Sequence, residues 1–208
     1  MGTDVALPAF SERDGAYTGN GAFLHLPLET GIQTLNIDNA TGAFGAGNFT
    51  AVATTTRVQE MHNLGQGGLV VGTCIDSGFT NGRYLAYQVN GSGGLSLVNQ
   101  TPLGFAPSGN ALGSQGRIYT TGIAGPIHAF QINPAGGSLT PLANQPFFVL
   151  SLGGLLRFTP DKSLLYGLLT LSSIGGAVVS GDGSLTSTPN SPTTGDLLQG
   201  GFFEVLQF

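Results

Sequence analysis

The sequence predicts an all-β chain, a β-propeller built from four-stranded antiparallel blades, about four to five in number. Three observations carry that prediction. A tight glycine turn followed by an apolar residue recurs along the chain. An alternating strand precedes the turns, and no stretch of ~12 residues shows helical periodicity with caps.

The turns are Thr41-Gly42-Ala43-Phe44, Gly93-Gly94-Leu95-Ser96, Gly137-Ser138-Leu139-Thr140 and Gly183-Ser184-Leu185-Thr186. Their apolar anchors Phe44, Leu95, Leu139 and Leu185 are spaced by 51, 44 and 46 residues. Upstream lie Gly31–Asp38, Arg83–Asn90 and Ile127–Asn133, which alternate with period two and end on a polar residue, the pattern of half-buried strands. One strand earlier come Gly116–Thr121 and Ser163–Leu168, whose tyrosines Tyr119 and Tyr166 are 47 residues apart. Glycine-started strands, Gly153–Phe158 and Gly200–Val205, come before those in each period. Pro102, Pro146 and Pro192 close successive periods, and Pro8 lies two periods before Pro102.

A four-stranded unit of ~45 residues cannot bury both faces of its sheet alone, so such units pack face to face around an axis. The expectation is a single domain over 1–208, with repeat units of approximately 11–52, 53–102, 103–146 and 147–192. Residues 193–208 and the N-terminus would complete a further or closing blade. Either the terminal pieces seal one ring, or the array stays open and completes itself between chains through its unpaired terminal strands. Small residues crowd the innermost strands, and hairpin turns such as Asn81-Gly82 need positive φ.

Composition excludes several classes. Only 8% of residues are charged, 40% are hydrophobic and 35 of 208 are glycine, which rules out a coiled coil and a charged disordered tail. The net charge is −5, and the five arginines are scattered, so neither nucleic acid nor an anionic membrane surface is an expected partner. The longest apolar runs, Phe147–Leu152 and Leu164–Leu171, fall short of the ~18 residues of a spanning helix, so no membrane span is expected. Cys74 is the only cysteine, so no intrachain disulfide forms. No basic and apolar leader opens the chain. The lysine-poor, Ser/Thr/Asn/Gly-rich composition is nevertheless that of a secreted protein whose leader has been removed. Sequons stand at Asn39, Asn48, Asn90 and Asn99. An extracytoplasmic location is expected.

Two segments resemble the YVTN/lactonase-type β-propeller family. Phe158-Thr-Pro-Asp-Lys-Ser-Leu-Leu-Tyr166 is similar to its Pro-Asp-Gly-x-x-x-Tyr strand link. Ile127-His-Ala-Phe-Gln-Ile-Asn-Pro-Ala-Gly-Gly-Ser-Leu-Thr140 is similar to its Phe-x-Ile…Gly-x-Leu-Thr pattern. The resemblance is good over about 100–195 and looser over 20–100. It departs in length, since the family usually has about seven blades and this chain holds four to five. Enzymes of this resemblance place His, Glu and Arg around the central channel to act on lactones.

The one such cluster here is Arg57-Val-Gln-Glu60-Met-His62. On a strand, positions 60 and 62 share a side, so Glu60 could orient the His62 imidazole as a general base. The alternative is a polar loop between two repeats. Arg57, Arg117 and Arg157 are the candidate ligand-binding residues. Arg117 and Arg157 lie near inner strands, where they would attract an acidic ligand or pair with Asp161 or Glu204. His128 and His25 read as packed sheet residues. Asp76, Asp182 and Asp196 sit beside glycines, where Asp bonds the turn backbone. No metal site and no cofactor is expected. With so few titratable groups, the functional expectation is a non-catalytic scaffold binding a small ligand or a protein at the channel mouth. The alternatives are a lactone hydrolase using His62 and Glu60, and a self-assembling extracellular structural subunit.

Overall fold

The polar residue that ends each alternating strand sets the turn after it. In a computed structural model describing residues 15–194, apart from 54, 66, 123–124, 153, 171–172, 190 and 192, Asp38 Oδ1 accepts from the Ala40 N–H at 2.9 Å. Asn90 Oδ1 accepts from Ser92 and Gly94, and Asn133 Oδ1 from Ala135. These are Asx turns, in which a short polar side chain satisfies backbone donors that the ending strand leaves over. The following glycines Gly42, Gly93, Gly137 and Gly183 all take positive φ, +70, +79, +71 and +89°. Phe44, Leu95, Leu139 and Leu185 then each open a strand. At one turn the expectation fails: positive φ falls at Gly78 and Phe79, while Gly82 already begins a strand. The Asp76–Asn81 backbone closes that turn, so the left-handed residues sit inside it rather than at its end.

Four antiparallel sheets result among the described residues. The first comprises β1 (Ala16–Tyr17), β2 (Phe23–Pro27), β3 (Gly31–Ile37), β4 (Phe44–Gly45) and β5 (Phe49–Ala51), with β3 pairing both β4 and β5. The second is β6 (Thr55–Asn63), β7 (Leu69–Asp76), β8 (Gly82–Val89) and β9 (Leu95–Pro102). The third is β10 (Pro107–Leu112), β11 (Arg117–Gly122), β12 (Gly125–Ile132), β13 (Leu139–Pro141) and β14 (Phe147–Leu152). The fourth is β15 (Leu156–Phe158), β16 (Leu164–Thr170), β17 (Ser173–Val179), β18 (Leu185–Ser187) and β19 (Thr193–Thr194). Strands pair in chain order, the blade meander of a β-propeller. Because β14 pairs with β12, the third sheet runs on to Leu152, past the boundary at 146 expected from the proline ladder. The strand expected at Gly200–Val205 and the N-terminal piece expected to complete a further or closing blade lie outside the described residues.

The sheets group into two units. One holds residues up to Ala106 with Asn133–Ser138, the other Pro107–Ile132 with the chain from Leu139. Each has its own core. In the first, Ala16, Ile32 and Val52 pack with Val58, Met61, Val70, Cys74, Leu85 and Tyr87, joining the facing surfaces of the first two sheets. The Val58 N–H also donates to Leu28 O at 3.0 Å, tying β6 to the end of β2. In the second, Tyr119, Ile127, Phe147, Leu156, Phe158 and Leu165 form the core, with Tyr119 edge-on to Phe158. Burying such side chains contributes about 1.5–3 kcal/mol each, which is how short strands hold together without helices. Among the described residues no helix is long and apolar enough to cross a membrane.

Candidate functional site

The cluster Arg57–His62 lies on β6, the first strand of the second sheet, and not in a loop. Val58 and Met61 are three residues apart, yet both enter the core, which ordinary alternation forbids. A β-bulge reconciles them. Val58 pairs with Cys74 and Met61 with Gly72, so Gln59 and Glu60 together stand against the single residue Thr73. Both therefore turn to the face opposite the core, with Arg57 and His62, which pair with Ile75 and Val71. The bulge is pinned at Gly72, where a Cβ would lie 2.5 Å from Met61 Sδ and 2.6 Å from Glu60 O.

The predicted pair is thus brought onto one face, but not in equal exposure. Glu60 is 0% exposed, His62 is half-buried and Arg57 is exposed. Across the sheet the row continues from Thr73 to Tyr84 and Thr101. The Tyr84 hydroxyl is buried and has no hydrogen-bond partner among the described residues, and burial raises its pKa. Below the same sheet, burial also raises the Cys74 thiol, which makes it unreactive.

Arg117 and Arg157 belong to the second unit. Arg117 opens β11 and is only 8% exposed. A Cβ at Gly183 would lie 2.9 Å from its Cδ, so the 181–184 turn packs down on the guanidinium stem. Its acidic neighbour is Asp182, not Asp161. Asp182 is held below the usual carboxylate range by the Ser184 N–H and hydroxyl, with Arg117 adding a smaller attraction. Asp161 is bonded instead by Thr159 and Ser163. Arg157 is half-buried on β15, and its Nη1 donates to Leu156 O at 2.8 Å. Glu204 and Asp196 lie outside the described residues.

The other histidines are packed sheet residues. His128 Nδ1 lies 3.0 Å from Gln145 Oε1. His25 is 0% exposed, with Nδ1 2.9 Å from Thr34 Oγ1 and Nε2 unbonded among the described residues, and burial lowers its pKa from 6.5 to about 4. Among the described residues no three His, Cys, Asp or Glu side chains converge as a metal site would need.

A cleft that sequence reasoning missed lies within the first unit. About 280 Å³ in volume, it is lined by Asn20, Asn63 and Asn90, by Phe23, Val70 and Val89, and by turn residues including Gly19, Gly68 and Gly91. It forms where the β1–β2, β6–β7 and β8–β9 connections meet. Gly93 shapes one wall, since a Cβ there would lie 2.4 Å from the Phe23 ring. Among the described residues that line it, none is ionisable. The only signal in the sequence was Asn90 at the end of an alternating strand, which reads equally as a turn cap.

Comparison with known proteins fits this geometry to a class. No family model and no curated protein matches the chain. Among solved structures, a 6-phosphogluconolactonase-like protein from Bacteroides uniformis superposes with a TM-score of 0.68 at 13% identity, over 89% of this chain and 55% of that one. Its counterpart from Bacteroides fragilis gives 0.68 at 15% identity over the same shares. Streptogramin B lyase gives 0.53 at 16% identity, over 90% of this chain and 57% of that one. At these identities the likeness establishes the β-propeller fold alone. The chain spans about 55% of the length of the two lactonase-like structures.

Proposed function

We propose that this β-propeller chain is a non-catalytic module that binds a small ligand in the cleft between its first two sheets. The observation that carries this reading is the composition of the cleft: an apolar wall of Phe23, Val70 and Val89 faces three asparagine amides and the Thr18 hydroxyl, with no titratable group among the described lining residues. Apolar lining with a few placed polar groups suits recognition, whereas hydrolysis needs a titratable group within reach of the reacting bond. The volume is near the lower end of the ~300–1,000 Å³ of small-molecule sites.

The test is a fragment mixture added to 15N-labelled protein. Resonance shifts centred on Gly19, Gly68 and Gly91 support the reading, and their absence overturns it. Gly91 offers an internal control, because a Cβ there meets nothing within 4 Å. Gly91→Phe should fill the cleft, abolish the shifts and leave the melting temperature close to that of the parent.

One observation favours a second reading, a lactonase-like hydrolase. The bulge at Gln59–Glu60 gathers Glu60, His62 and Arg57 on one face of β6, and bulges commonly re-aim side chains beside active sites. In that reading His62 acts as general base and Glu60 orients it. Lactone turnover that survives His62→Ala would remove it.

A further inference from the structure

Which atoms of the three asparagines are still available to a ligand follows from the bonds they already make. Asn20 Oδ1 accepts from the Thr18 hydroxyl at 2.7 Å and from the Ala22 N–H at 3.1 Å. Asn63 Oδ1 accepts from the Gly65 N–H at 2.8 Å, and its Nδ2 donates to Tyr17 O at 2.7 Å. Asn90 Oδ1 accepts from the N–H groups of Ser92 and Gly94 and from the Ser92 hydroxyl, all within 3.0 Å. A backbone N–H can only donate, so these bonds settle which end of each amide is oxygen.

The amide oxygens are therefore turned into the protein, and the NH2 groups are left over. Nδ2 of Asn20 and of Asn90 makes no hydrogen bond among the described residues, leaving two hydrogens on each. Asn63 Nδ2 retains one. Five amide hydrogens thus stand against two spare side-chain acceptor lone pairs, one on Asn63 Oδ1 and one on Thr18 Oγ1. The Thr18 hydroxyl gives its one hydrogen to Asn20 Oδ1 and accepts from the Phe23 N–H, so it has no donor left for a ligand.

Building on the binding role assigned above, we infer that the ligand of this cleft is a neutral molecule with an apolar body that presents hydrogen-bond acceptors, a carbonyl above all. Its oxygen takes the NH2 groups of Asn20 and Asn90 while its carbon frame lies against Phe23, Val70 and Val89. A polyol is disfavoured because each hydroxyl brings a hydrogen that must also be satisfied, and the side chains here offer two acceptor lone pairs against five donor hydrogens. A carboxylate is disfavoured because among the described residues no cation lines the cleft to offset the loss of its hydration, and the chain carries a net charge of −5.

Three probes of one shape test this: cyclohexanone, cyclohexanol and cyclohexanecarboxylate, each titrated while the side-chain NH2 resonances of Asn20, Asn63 and Asn90 are followed. Cyclohexanone is expected to bind at least about tenfold more tightly than the other two. Asn20→Asp with Asn90→Asp keeps every inward acceptor bond and replaces only the donors. That variant should lose at least about tenfold in cyclohexanone affinity at an unchanged melting temperature. If the alcohol or the carboxylate binds the cleft as tightly as the ketone, the acceptor-ligand inference is overturned and the binding role stands. If the double variant binds cyclohexanone as tightly as the parent, the inference is likewise overturned. If none of the probes moves the three amide resonances, the binding role itself is overturned.

Discussion

His25 Nδ1 meets Thr34 Oγ1 at 2.9 Å across the β2–β3 pair, and both side chains are fully buried. A charged imidazole there would have one N–H bonded and one stranded in the interior, so burial favours the neutral ring and lowers its pKa to about 4. The unfolded chain titrates near 6.5. Between those values the unfolded state binds more protons, so stability rises with pH. It is fully present above about 6.5 and is lost as pH falls through about 4, by a total on the order of 3 kcal/mol. Urea midpoints measured from pH 7.5 to 4.5 should fall steadily, and the slope should be much shallower in His25→Gln. The turn carboxylates Asp38, Asp161 and Asp182 have lowered pKa values, so their contribution is lost only below about pH 3.8. The two windows therefore separate. An unchanged slope in His25→Gln would assign the pH dependence elsewhere.

Two turn glycines separate backbone strain from steric clash. Gly42 and Gly93 both have positive φ, +70 and +79°. An added Cβ meets nothing within 4 Å at Gly42 but lies 2.4 Å from the Phe23 ring at Gly93. Gly42→Ala should cost about 1 kcal/mol from the left-handed conformation alone. Gly93→Ala should cost about 1–3 kcal/mol more, as overpacking does, and should also weaken ligand binding by displacing Phe23. Equal losses in chemical denaturation would contradict the packing described.

Two buried tyrosines should respond to Phe in opposite directions. Tyr119 donates its hydroxyl to Gly183 O at 2.9 Å, so Tyr119→Phe strands a buried carbonyl and should destabilise by about 1–3 kcal/mol. The Tyr84 hydroxyl is buried with no hydrogen-bond partner among the described residues. Removing it recovers the cost of that unsatisfied group, so Tyr84→Phe should be neutral or stabilising by up to about 1 kcal/mol. Denaturant midpoints of the two variants, compared with the parent, decide this by their sign.

Much of the fold was legible because it depends on local chemistry. Asp38, Asn90 and Asn133 announce their turns by residue type, and Gly42, Gly93, Gly137 and Gly183 announce the left-handed position that follows. The third sheet's boundary was less legible. Phe147–Leu152 is an apolar run interrupted only by Ser151, and only its pairing with β12 says which sheet it joins. At the site, Glu60 and His62 could be placed on one side of a strand from their spacing. The bulge that adds Gln59 to that face could not be foreseen, because it depends on Val58 and Met61 sharing one core. The cleft was hidden for the same reason. Asn20, Asn63 and Asn90 are far apart in sequence, and each looks like an ordinary turn residue until the connections of two sheets bring them together.

The central claim is recognition without turnover, and a single titration addresses it. δ-Valerolactone, neutral and carrying a carbonyl on an apolar ring, is added to 15N-labelled protein while acid release is followed in a pH-stat. The account predicts saturable shifts of the Asn20 and Asn90 side-chain amides with acid release no faster than in protein-free buffer. Acid release above that background that disappears in Glu60→Gln, with the Asn20 and Asn90 resonances unmoved, would contradict it and place the function on β6.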